Sequence, residues 1–171
     1  MRLPLFLAFS AAAVFTVAAP ALNAATPPRV GIANVNQLPQ PLPLPYDTAA
    51  NADAQVAAAK ARARKNGKKL LIDLGGNWCP DCRVLAGIMA LPTVKAFVAR
   101  HYELVMVDIG RFDKNLQIGA QYGIARPAGV PALLVVDPRT DKLLNVGRTS
   151  ALADARNMTP QALADWLAQW V

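Results

Sequence analysis

The chain has 171 residues, a formal net charge of +7 and only two cysteines. One cysteine pair excludes a disulfide-stapled miniature scaffold, and the length suits one domain with its own core. Much of the charge is local, in Lys60, Arg62, Arg64, Lys65, Lys68 and Lys69; no aromatic residue is interleaved there for base stacking, so a solvated helix end is expected rather than a nucleic-acid partner.

Residues 1–24 read as an export signal. Arg2 gives the positive start, residues 3–17 are apolar apart from Ser10 and Thr16, and small residues follow at Ala18, Ala19, Ala21, Ala24 and Ala25. Cleavage after Ala21 and cleavage after Ala24 both fit the small-residue rule. An uncleaved signal would instead anchor the chain. Either way the remainder is expected in the periplasm, outside the inner membrane. Residues 25–46 form a Pro-rich segment, with Pro27, Pro28, Pro39, Pro41, Pro43 and Pro45 breaking regular structure. The alternation over 41–45 should be extended. It could tether the domain, but Leu42 and Leu44 favour a strip lying on the domain surface.

A domain is expected over residues 47–171. Asp47 or Thr48 can cap a helix that runs to Asn66 and stops at Gly67. Residues 69–75 (KLLIDLG) are a continuous apolar run around one acid, the pattern of a buried strand. A helix opens at Cys79 with Leu85, Ile88 and Met89 on one face. Pro92 interrupts it, and Thr93 can cap a continuation carrying Val94, Phe97 and Val98. Residues 102–109 predict a second strand, 113–122 a short helix ended by Gly123, 131–137 a third strand and 142–147 a hairpin partner. Thr159 caps a last helix with Pro160 in its first position and Leu163, Trp166, Leu167 and Trp170 along one face. Alternating units followed by a hairpin give an α/β fold with a mixed sheet between helices.

Both cysteines lie in Trp78-Cys79-Pro80-Asp81-Cys82, directly after a strand and at the start of a helix. A loop this short closes little chain entropy, so bracing is a poor reason for it. Free N–H groups and partial positive charge at the helix start stabilise the Cys79 thiolate, the form that attacks disulfides. Cys82 can then reach back and release the product. By position, Cys79 is expected to be the exposed thiol and Cys82 the buried one. Asp81 places an anion beside the nascent thiolate and is expected to raise the Cys79 pKa. A metal site is not expected. Zinc wants four ligands, only His101 remains for nitrogen ligation, and Met89 and Met106 read as core.

With these residues the chain resembles the thioredoxin superfamily over residues 49–171. Asp73 lies six residues before Cys79, where thioredoxins keep a buried acid. Val130-Pro131 precedes a strand, where they keep a cis-proline facing the disulfide. Trp78 precedes the first cysteine, as in most members. The resemblance implies a thioredoxin-like fold, a central mixed β-sheet flanked by helices, in a protein disulfide oxidoreductase. It implies that Asp73 accepts the Cys82 proton, that Val130-Pro131 binds a partner's extended backbone, and that Trp78, Pro80 and Asp81 face the substrate. It implies no cofactor and a monomer. The pair Pro80-Asp81 replaces the usual Gly-Pro and is shared with cytosolic thioredoxin-related proteins carrying WCPDC. The loop 125–129 is longer than in thioredoxin, and the lysine usually beside the buried acid has no evident counterpart in 102–109.

Residues 65–82 also resemble the exported C-terminal domain of membrane-bound reductant transporters. That resemblance, the Asp81 charge, and a segment between Cys82 and Tyr102 too short for the helical insertion of exported oxidases favour a reductant, with protein thiols and disulfides as partners and a membrane-bound thiol donor upstream. The competing reading is a redox-inert binding or assembly module using the same groove, and a metal carrier stands behind that.

Overall fold

The computed structural model describes residues 25–171; the signal segment and its candidate cleavage sites lie outside the described residues. The sheet is built on β1 (Lys69–Gly75), which pairs parallel with β2 (Tyr102–Asp108) and antiparallel with β3 (Ala132–Asp137). β3 pairs antiparallel with the two-residue β4 (Lys142–Leu143), giving the order β2-β1-β3-β4 in a mixed sheet. A central strand covered on both faces must be apolar throughout, and β1 is buried from Leu70 to Gly75. That run carries Asp73 into the interior, in register with Met106 of β2 and Leu133 of β3.

Side chains alternate between the two faces of β1. Leu70, Ile72 and Leu74 pack with Val56, Ala59 and Ala63 of α1 (Ala52–Asn66). Leu71 packs with residues of α2 (Pro80–Ala90), α3 (Pro92–His101) and α5 (Pro160–Ala168) on the other face. Thr159 caps α5 by accepting the Ala162 N–H, with Pro160 in the first turn. The cations near the end of α1 are engaged by acids of the sheet and its turns: Lys60 with Asp141, Arg62 and Lys68 with Glu103, Lys69 with Asp137.

Four expected boundaries shift, each for a local reason. α1 begins behind Asn51, whose side chain accepts the Ala54 N–H at 2.9 Å, while Asp47 spends its carboxylate on a local turn to the Ala49 N–H. Only Leu116–Ala120 of the 113–122 segment is helical (α4), because Gly110, Phe112 and Asn115 adopt left-handed backbone that coils the chain before it. β4 stops after Leu143 because the buried Asn145 side chain takes over: it accepts the Val135 N–H at 2.9 Å and donates to the Leu133 carbonyl at 2.7 Å. α3 is entered through Pro92 with Leu91 as its cap residue, rather than behind Thr93.

Residues 25–46 lie on the domain as a strap rather than leaving it. Leu38 is 3% exposed and joins the core cluster of α2, α3 and α5. The strap passes so close to α2 that a Cβ on Gly87 would sit 3.2 Å from a Leu38 methyl. Arg83 of α2 donates to the carbonyls of Leu42 and Pro43 at 3.0 and 3.2 Å. Among the described residues no single helix is long and apolar enough to cross a membrane.

Candidate active site

β1 ends at Gly75, and a short turn through Gly76 and Asn77 delivers Cys79 to the N-cap of α2. The cap is the cysteine itself: its Sγ accepts the Cys82 N–H at 3.2 Å, and Pro80 occupies the first turn, where a missing N–H costs nothing. Beside it, the Val130–Pro131 peptide is cis. The Cys79 thiol reaches the Val130 carbonyl at 3.5 Å. Ser150 fixes the preceding loop by donating to the Gly129 carbonyl and accepting the Gly129 N–H. Cys82 is fully buried one turn further on, but Cys79 is also only 3% exposed. The expected contrast of an open and a closed thiol is therefore corrected, since the Cys79 sulfur is turned inward to its helix N–H and the Val130 carbonyl.

The two thiols have opposite electrostatics. The Cys82 S–H hydrogen bond is the largest influence on Cys79, and with the Cys82 N–H it outweighs burial and the Asp81 charge, lowering the Cys79 pKa from 9.0 to about 7. The same hydrogen bond, then burial and the charge of Asp73, push Cys82 far up. Cys79 is thus the thiol that ionises near neutral pH and Cys82 the partner that keeps its proton.

Asp81 raises the Cys79 pKa, as its charge predicts, but it is outweighed by the hydrogen bonds from Cys82. Its carboxylate is turned away from the rim to Arg156: Oδ1 accepts the Arg156 backbone N–H at 2.9 Å, and Nε donates to both oxygens at 3.1 Å. A compensated anion repels a nearby thiolate less than a bare one. Arg156→Ala should therefore raise the Cys79 pKa by roughly half a unit, an effect that shrinks with added salt because the guanidinium is half exposed. Thiolate absorbance against pH reads this directly, and an unmoved titration would mean that Arg156 does not shield the charge.

Beneath the cysteines, Asp73 is fully buried. Burial raises its pKa from 3.8 to about 7 against the opposing hydrogen bond of Tyr46. The Tyr46 hydroxyl donates to Oδ1 at 3.0 Å, and Oδ2 has no partner among the described residues. Sequence reasoning missed Tyr46, because nothing local ties a tyrosine at the end of a Pro-rich strap to an acid in a strand. Asn77 pins it, accepting the Tyr46 N–H at 3.0 Å and donating to the Tyr46 carbonyl at 2.8 Å.

On the rim, Trp78 is 40% exposed and its indole N–H donates to the Gly110 carbonyl. Pro80 is exposed, whereas Val130 and Pro131 are buried beside Cys79. Sequence reasoning also missed Arg111, which lies over the Trp78 ring, and Arg126, which lies over Phe112. His101 stacks on Phe97 at the end of α3. Among the described residues no three potential metal ligands converge.

Residues 51–138 match the model of a family described as thioredoxin-like. Among solved structures, the chain is similar to a disulphide isomerase from Xylella fastidiosa Temecula1, with 38% identity and a TM-score of 0.70, over 75% of this chain and 97% of that one. A protein of unknown function from Pseudomonas aeruginosa aligns at 20% identity and a TM-score of 0.39, over 70% of this chain and 84% of that one. No curated protein matches the chain.

Proposed function

The chain belongs to the thioredoxin-like family, and from that premise we propose that it exchanges disulfides with protein thiols in the periplasm, working as a reductant. The observation that carries the chemistry is the Cys79 thiol, lowered to about 7 as the cap of α2, with the proton-bearing Cys82 behind it and cis Val130–Pro131 at its side.

Cys79 as thiolate attacks one sulfur of a substrate disulfide. A Cys79–substrate bond forms, and the other substrate sulfur leaves as a thiol after taking a proton from water. Asp73 then accepts the Cys82 proton, and Cys82 attacks Cys79 Sγ. The Cys79–Cys82 disulfide forms, the mixed disulfide breaks, and the second substrate sulfur leaves. Two electrons have passed to the substrate. An extended substrate segment would lie against Val130, where main-chain pairing gives affinity without demanding a sequence. Thiolate stability supports the reductant direction. A pKa of about 7 lies at the thioredoxin end of the range, roughly 7, rather than near the roughly 3.5 of the strongest exported oxidant. Export rests on the signal pattern of residues 1–24, and the upstream membrane-bound thiol donor on the resemblance of residues 65–82.

Cys82→Ser removes the internal exit from the mixed disulfide and should trap partners in periplasmic extract. The adducts should vanish in the Cys79→Ser, Cys82→Ser double variant. No adducts with the single variant would count against exchange with abundant proteins. Acid quench with thiol tagging in cells tests direction: the pair should be largely reduced when an inner-membrane donor is present and oxidised without it. A pair oxidised in both would overturn the reductant reading.

A further inference from the structure

We propose that Tyr46, carried into the redox centre by the N-terminal strap, is a positioning residue that holds Asp73 ionisable and leaves its second oxygen free for the Cys82 proton. The proposal rests on the exchange chemistry above. A carboxylate with no exposure needs donors to stay charged. One oxygen of Asp73 has such a donor in the Tyr46 hydroxyl at 3.0 Å, while the other is bare and buried.

The titratable groups that face Asp73 are Tyr46 from the strap and Cys79 and Cys82 from α2. The neighbouring strands offer Met106 and Leu133 at its register, and α1 across the sheet offers alanine and valine. Among the described residues no lysine or arginine bonds to Asp73, and a phenol supplies its hydrogen bond. Burial, then the charges of Asp73 and Cys82 and the hydrogen bonds of the hydroxyl to both, push the Tyr46 pKa far up, so it remains an O–H donor at any working pH and touches the resolving thiol as well as the acid. Gly75 makes the meeting possible: a Cβ there would lie 2.7 Å from the Tyr46 ring carbon bearing the hydroxyl and 2.8 Å from Cys82 Sγ. Tyr46 and Cys82 thus converge over one glycine, and an alanine would separate them. Asn77 grips the Tyr46 backbone from the turn before Trp78, and Arg83 grips the strap from the residue after Cys82. Both anchors flank the cysteine motif, so strap and redox centre are built as one unit.

In the step concerned, the Cys82 S–H proton passes to Asp73 Oδ2 while the Cys82–Cys79 bond forms and the Cys79–substrate bond breaks. Without the Tyr46 donor, Asp73 stays protonated to higher pH, and a smaller fraction of it can take that proton at neutrality.

The test uses the full chain without its signal, reduced and loaded at Cys79 with a chromogenic aryl thiol, whose release reports Cys82 attack in a single turnover. In Tyr46→Phe the acid limb of the release rate should move up by about one pH unit, and the rate at pH 7 should fall roughly fivefold, the effect of losing one hydrogen bond to a charged group. Combining Tyr46→Phe with Asp73→Asn should slow release no further than Asp73→Asn alone, because Tyr46 acts through Asp73. A Tyr46→Phe profile superimposed on wild type, or full additivity with Asp73→Asn, would overturn the inference while leaving the exchange reading intact. If wild type loaded at Cys79 never releases the thiol, the exchange reading itself falls and this inference with it. Urea unfolding of Tyr46→Phe separates a general loss of stability, which would lower the rate at every pH rather than shift the limb.

Discussion

Cys79→Ser is expected to return insulin reduction by dithiothreitol to its uncatalysed rate. A serine hydroxyl is not appreciably ionised at neutral pH and does not attack disulfides, so the first step is lost outright. Cys82 cannot take over. It is fully buried, and the Cys79 hydrogen bond and burial push its pKa far up. In wild type, alkylation at neutral pH should therefore label Cys79 first despite its own slight exposure, and Cys79→Ser should be labelled only slowly. Rapid labelling of Cys82, or insulin reduction surviving in Cys79→Ser, would overturn the assignment of roles. The substitution also separates the chemistry from the competing assembly-module reading, since a redox-inert module would keep its activity with serine at 79.

Asp73→Asn should make the reduced protein more stable than wild type in alkaline solution and confer no such gain in acid. The folded Asp73 pKa is raised, from 3.8 to about 7. A raised acid contributes stability that is fully present below its unfolded pKa and lost as pH rises through the folded value. The loss thus falls between about pH 4 and pH 7. At about 1.36 kcal/mol per unit it amounts to about 4 kcal/mol. Cys79 runs the other way: its pKa is lowered from 9.0 to about 7, so its contribution is present above pH 9 and lost as pH falls through 7. Because Cys79 is common to both proteins, the difference between Asp73→Asn and wild type isolates the aspartate, and any fixed cost of the buried amide drops out of its pH dependence. Urea unfolding of both at pH 4 and pH 8 should show the variant gaining about 4 kcal/mol between them. A difference that stays flat with pH would mean that Asp73 ionises as freely in the fold as in the unfolded chain. The same variant should keep Cys79 alkylation but resolve mixed disulfides slowly, so stability and turnover move in opposite directions at one residue.

Much of the framework was legible in local patterns. The KLLIDLG run is apolar because its strand is covered on both faces, and the Thr159-Pro160 start of α5 is a cap that acts over three residues. Cys79 at a helix start follows from a strand, a turn and Pro80 in direct succession. Periodicity and capping act over a few residues, so sequence alone carries them. What tunes the site was not legible, because it is made by contacts across the chain. Arg156 meets Asp81 across 75 positions, and Tyr46 meets Asp73 across 27, and no local pattern in either segment points to its partner. The Asp81 charge was visible, but its compensation depended on where an irregular loop returned. Asn145 ended β4 by replacing backbone pairing with a side-chain amide, a choice that exists only once β3 is in place. Local sequence thus determined the strand, the helix start and the two thiols, while the tertiary path of the strap and the loop before α5 decided the charges and protons around them, because a buried carboxylate takes its pKa from whichever groups the fold brings within hydrogen-bond reach.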